Sequence, residues 1–120
     1  MKIAITTSGE TLAAPLDSRF GRAPRFLIYD TETGTYRTVD NAQNLNAVQG
    51  AGIQAAQTVA QTGVSRLITG HCGPKAFRVL RAAEIEVFHT DAPTVQEALD
   101  RMDKGELLAA QDADVEGHWL

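Results

Sequence analysis

The chain has 120 residues, 43% of them hydrophobic, and a formal net charge of −4, which bounds it to one domain large enough to bury a core. It has no apolar run long enough to span a bilayer, no signal-type apolar stretch ahead of Ile3-Ala4-Ile5, and one cysteine, which excludes an internal disulfide; a soluble, cytoplasmic protein without membrane contact is expected. Residues 17–25 sum to +2 and residues 71–81 to +3, leaving −9 elsewhere, a distribution that argues against nucleic-acid binding and suits a small anion meeting two local basic segments.

Lys2–Thr7 reads as a first strand and Ser8-Gly9-Glu10 as a turn. A long loop to about Pro24 follows, carrying Asp17-Ser18-Arg19-Phe20-Gly21-Arg22. Residues 25–30 and 35–40 flank Thr31-Glu32-Thr33-Gly34, a hairpin signature that predicts antiparallel second and third strands. Residues 41–49, with Asn41, Asn44 and Asn46, are polar and loop-like. The alanine-rich residues 50–62 then predict a helix closed by Gly63, its small Ala51, Ala55 and Val59 suited to close packing on a sheet.

Ser65-Arg66-Leu67-Ile68-Thr69 predicts a fourth strand, residues 74–83 a helix with Phe77 and Leu80 inward, and residues 85–88 a fifth strand. Thr94-Val95-Gln96-Glu97 is a capping box, and Val95, Ala98, Leu99 and Met102 form the apolar stripe of a last helix ended by Gly105. A single domain over residues 1–106 is expected, followed by an acidic extension, 107–120, with Asp112, Asp114, Glu116 and a terminal His118-Trp119-Leu120. The order of elements implies an α/β fold of ribonuclease-H-like type, a mixed five-stranded sheet flanked by helices. Ligands in such sheets lie beyond the carboxyl ends of parallel strands. The loop after strand one and the turn after strand four both begin there.

That second turn, Gly70-His71-Cys72-Gly73-Pro74-Lys75, holds the only cysteine and one of three histidines. Its glycines admit close backbone approach, and Pro74 suits a first helical position whose N–H groups attract an anion. The thiol and imidazole add soft and borderline metal ligands. Each residue also has a plainer reading: Cys72 as a buried turn residue, His71 as a carbonyl donor, Phe20 as a loop anchor and Gly21 as a turn residue. His89 follows the fifth strand, facing either the same crevice or solvent.

His71-Cys72 and Arg78 also meet the His-Cys-(five)-Arg spacing of cysteine-dependent phosphatases, with Asp17 or Asp91 available as the acid. Against that alternative, Pro74 removes an N–H from the phosphate cradle, and Lys75 and Phe77 replace small residues. A nuclease lacks carboxylates on the first and fourth strands. A third alternative is an interaction module using the acidic tail and Trp119.

Asp17-Ser18-Arg19-Phe20-Gly21-Arg22-Ala23 with Phe26, then Gly50-Ala51-Gly52, Gly63-Val64, Gly70-His71-Cys72-Gly73-Pro74-Lys75-Ala76 and Gly105 together resemble the nitrogenase iron–molybdenum cofactor biosynthesis accessory family over nearly the whole chain. The resemblance implies a non-catalytic carrier of an anionic metal–sulfide cluster, of molybdenum–copper type, with ATPases or regulators of the same pathway as protein partners. Its implied binding set is Arg19, Phe20, Gly21, Arg22, Gly70, His71, Cys72, Gly73 and Lys75, held by hydrogen bonds and charge; residue chemistry, not the resemblance, nominates Cys72 and His71 as metal ligands. Such a sulfide-coated trianion accepts hydrogen bonds from backbone N–H, guanidinium and ammonium groups. One thiol cannot supply a four-cysteine iron–sulfur centre.

Overall fold

The computed structural model describes residues 1–41 and 50–111. β1 (Lys2–Thr7) alternates its side chains between two apolar layers, so it is buried along nearly its whole length and becomes the central strand. β2 (Arg25–Asp30) and β3 (Tyr36–Asp40) form the expected hairpin. Gly34 sits at φ 74° in its turn, with its N–H donating to Asp30 O at 2.8 Å. β2 lies antiparallel to β1, with Ile3 opposite Tyr29 and Ile5 opposite Leu27.

β4 (Arg66–Thr69) and β5 (Glu86–His89) add on the other side in parallel register, Ile5 beside Ile68 and Thr69 beside His89. The sheet order is β3-β2-β1-β4-β5, the mixed ribonuclease-H-like arrangement that the sequence predicts. Strand and helix limits differ from the sequence reading by one or two residues, where terminal turns grade into bends.

Helices α1 (Ala51–Ala60) and α2 (Pro74–Ala82) cover one face. Ala55, Ala56, Val59, Phe77 and Leu80 pack there against Ala4, Phe26, Leu67 and Val87. α3 (Val95–Asp103) covers the other face, with Val95, Ala98 and Leu99 on Ile3, Ile5, Ile68 and Phe88. None of these helices is long and apolar enough to cross a membrane.

The segment expected to begin the extension contributes to both layers, through Leu107 on the α3 side and Ala110 on the other. Ala110 N–H donates to Val87 O at 2.7 Å, lining the open edge of β5. Residues 42–49 and 112–120, including Asn44, Asn46 and the acidic tail with Trp119, lie outside the described residues.

The N-cap half of the capping box forms, Thr94 Oγ1 accepting from Glu97 N–H at 3.1 Å, while the Glu97 carboxylate accepts from Arg101 Nε at 3.4 Å. Thr94→Ala should therefore lower unfolding free energy by about 1 kcal/mol, read as a shifted urea midpoint with an unchanged slope.

Candidate functional site

Two loops meet over the carboxyl ends of β1 and β4. Thr6 fixes the first from below: Asp17 N–H donates to Thr6 O at 2.9 Å, and Thr6 Oγ1 donates to Asp17 O at 2.6 Å. The same hydroxyl lies 2.9 Å from Thr69 Oγ1, so two buried threonines tie β1 and β4 together just beneath the loops. Above them His71 N–H donates to Ser18 O at 2.7 Å, and Phe20 N–H donates to His71 O at 3.1 Å.

Gly70 makes that seam possible. A methyl group at its α-carbon would stand 2.7 Å from Ser18 Cα and Ser18 O, both backbone atoms. The segment around Phe20 and the turn containing Cys72 thus form one continuous structure, bridged at Arg19 and His71.

Beyond the seam, the Phe20–Arg22 turn rests on the start of α1, where a Cβ on Gly21 would lie 3.0 Å from Gly52 Cα. Gly52 in turn faces Ala76 of α2, at 3.3 Å from its own notional Cβ. These two contacts, Gly21 on Gly52 and Gly52 on Ala76, bring the Phe20 turn, α1 and α2 to a junction. A cavity of about 290 Å³ opens there, lined by Phe20, Gly21, Gly50, Gly52, Ile53, Gly73, Pro74, Lys75 and Ala76.

The first turns of both helices border this cavity. Each N-cap is a glycine, Gly50 or Gly73, without a side-chain acceptor, and neither first turn contains an acid. Two positive helix ends, whose N-cap glycines supply no side-chain acceptor, therefore converge on one space. Lys75 stands exposed at its rim, and Phe20 (2% exposed), Ile53 and Ala76 make the wall apolar.

The expected binding residues divide. Phe20, Gly21, Gly73 and Lys75 line this cavity. Gly70 and His71 line a neighbouring concavity of about 450 Å³ on the α3 side of the turn, together with Ser18, His89 and Asp91. Asp91 is held there by α3, its carboxylate accepting from Arg101 Nη1 at 2.8 Å, and that hydrogen bond keeps it ionised below the usual aspartate range. Arg19 and Arg22 are exposed beside the Phe20 turn without lining either space.

Cys72 is 1% exposed and packs in the α1/α2 core, its thiol 3.7 Å from Gly73 O. His71 is exposed on the other side, since neighbouring residues of extended backbone point apart. The structure does not bring the two onto one metal ion. Among the described residues no group of three or more His, Cys, Asp and Glu side chains is arranged to hold one. Nor do Cys72 and Arg78 form a phosphate cradle: Arg78 is exposed and folds back, its Nε donating to Pro74 O at 3.4 Å.

The α1 side of the cavity, Gly50, Gly52 and Ile53, is absent from the sequence-derived set. Its signal was present: Gly50-Ala51-Gly52 puts a glycine where a helix start would ordinarily have a capping side chain.

Similarity to known proteins extends over nearly the whole chain. The family described as dinitrogenase iron-molybdenum cofactor matches residues 1–105. The apo form of the orange protein from Desulfovibrio gigas is 39% identical, with a TM-score of 0.92 over 95% of this chain and 96% of that one. A Thermotoga protein of the DUF35 family is 35% identical, with a TM-score of 0.84 over 97% and 98%. An uncharacterized protein of Methanocaldococcus jannaschii is 28% identical over 109 residues, 89% of each chain. With a family match that spans residues 1–105 and so all five strands, the chain belongs to the dinitrogenase iron-molybdenum cofactor family.

Proposed function

We propose that this protein is a carrier whose cargo is an anionic, sulfide-coated metal cluster of molybdenum–copper type, taken up in the cavity between the Phe20 turn and the starts of α1 and α2. One observation carries the reading: two acid-free helix N-termini open onto a single cavity whose remaining walls are apolar. Backbone N–H groups and Lys75 supply hydrogen bonds and positive charge to outer sulfides. Phe20, Ile53 and Ala76 supply the dry, polarisable contact that a soft anion tolerates better than a strongly hydrated oxyanion does.

Gly73 leaves room for close approach, since nothing lies within 4 Å of where its Cβ would be. Arg19 and Arg22 act at longer range, raising the potential at the mouth. The cluster would itself bring the metal–sulfide chemistry, and the chain's part is to hold it and keep water from it. Family membership supports a cluster-related role, and the orange protein is a relative with a described apo form.

The test is uptake. Apo-protein incubated with tetrathiomolybdate and copper should acquire a visible charge-transfer band that co-elutes with the protein. Neutralising Arg19, Arg22 and Lys75 together should weaken uptake about tenfold or more, on the order of 1.4 kcal/mol, with the folded state intact by circular dichroism. Cys72→Ala should leave the band position unchanged. Undiminished uptake in the triple variant would remove the electrostatic account, and a shifted band in Cys72→Ala would establish direct thiolate ligation instead.

A further inference from the structure

Residues 41–83 contain no aspartate or glutamate, although the chain carries 15 acids. This stretch supplies α1, β4 and α2. The outer surface of α2 presents Lys75, Arg78 and Arg81, and that of α1 presents the neutral amides Gln54, Gln57 and Gln61. The opposite face of the sheet carries α3 with its Glu97, Asp100 and Asp103. A protein of net charge −4 thus keeps this helical face free of acids and places three cations on it.

Cargo in the cavity accounts for Lys75 but not for its two neighbours. Arg78 and Arg81 lie about 4.5 and 9 Å further along the axis of α2, well below the cavity mouth. Their protein contacts are modest. Arg78 reaches Pro74 O at 3.4 Å, and Arg81 lies over the Phe77 ring at 5.6 Å with its Nη1 3.5 Å from Gln111 O. Among the described residues no carboxylate forms an ion pair with Lys75, Arg78 or Arg81.

We propose that the α1–α2 face docks an acidic surface of a partner protein, and that cluster loading weakens this docking. The first half stands on charge complementarity alone, whereas the second rests on the cargo reading given above. Charge favours a protein over a nucleic acid as occupant. The cations form one short row beside uncharged amides, as a mixed protein interface has, and the acidic remainder of the surface repels a long polyanion.

Coupling follows from distance. Arg78 and Arg81 sit within roughly one Debye length, about 8–10 Å, of the cavity mouth. A trianion bound there subtracts from the potential that the partner reads, so the empty protein docks better than the loaded one. By reciprocity, docking loosens the cargo. A face that senses occupancy and promotes release is suited to transfer.

The probe is a synthetic peptide alternating glutamate with neutral residues, titrated by fluorescence anisotropy against the full chain, with a DNA duplex of equal charge in parallel. The peptide should bind more tightly than the duplex. Arg78→Glu with Arg81→Glu should weaken it at least about tenfold, while Asp100→Lys with Asp103→Lys on the opposite face should not weaken it. Cluster-loaded protein should bind about three- to tenfold more weakly than empty protein.

Equal binding by the reversed variant, or tighter binding of the duplex, would overturn the docking surface. Peptide binding that survives loading unchanged would overturn the coupling and leave the surface standing. Because docking is measured on empty protein, a chain that takes up no cluster sinks the cargo reading without touching the docking result.

Discussion

Phe20→Ala should unfold with about 3–5 kcal/mol less stability than the unchanged chain and should lose cluster uptake even under conditions where it remains folded. The side chain is 2% exposed, and its ring lies 5.7 Å from that of Phe26. It belongs to the layer between the sheet and α1 and α2, with Ala55, Ala56 and Leu67 in the same cluster. Truncation therefore opens a cavity in the core and removes a wall of the binding space in one step.

Phe20→Leu separates the two consequences. It keeps most of the volume and all of the apolar character, so its cost should stay under about 1.5 kcal/mol and its uptake should be largely retained. Urea denaturation with linear extrapolation measures the first quantity, and the co-eluting visible band measures the second. A Phe20→Ala protein of unchanged stability would show that the ring is not a core element. Full uptake by its folded fraction would show that the wall is dispensable.

The strands, the hairpin and the capped last helix were legible because each has a local cause: alternation along β1 and β2, glycine at a positive-φ turn position, and Thr94 with Glu97 three residues on. The meeting of the two loops was legible too, since both leave the carboxyl ends of adjacent parallel strands. The division of the turn was harder to see. Gly70 and His71 border one concavity and Gly73 and Lys75 another, because a chain passing over a sheet end turns successive residues to opposite sides.

Cys72 shows the limit of residue chemistry. A thiol beside an imidazole suggests a metal site, yet cysteine is equally at home in a core, and only the packing of α2 decides between them. The part played by α1 was hidden for a related reason. Its start is marked by the absence of a capping side chain, and its orientation toward the cavity follows from Gly21, Gly52 and Ala76 fitting together across long sequence separations.

Gly70→Ala and Gly73→Ala, two methyl additions three residues apart, should give opposite patterns. At Gly70 the new carbon would meet backbone atoms of Ser18 at 2.7 Å, and backbone hydrogen-bonded at Asp17, Ser18 and Phe20 has little freedom to retreat. The seam formed by His71 N–H on Ser18 O and Phe20 N–H on His71 O must open, costing about 1–3 kcal/mol or more and displacing Phe20 from the cavity. Stability and uptake should fall together.

At Gly73 the backbone is extended, with φ −73° and ψ 166°, and no atom lies within 4 Å of the added methyl. The expected cost is about 0.5–1 kcal/mol, from placing alanine at an N-cap. The methyl nevertheless crowds the approach to the first turn of α2, so uptake should drop by more than the stability loss explains. Thermal unfolding and band intensity, taken on both variants, distinguish the outcomes. If Gly70→Ala folds and loads normally, the seam is not what sets the Phe20 turn opposite α2, and if Gly73→Ala loads normally, the cargo does not approach that helix start.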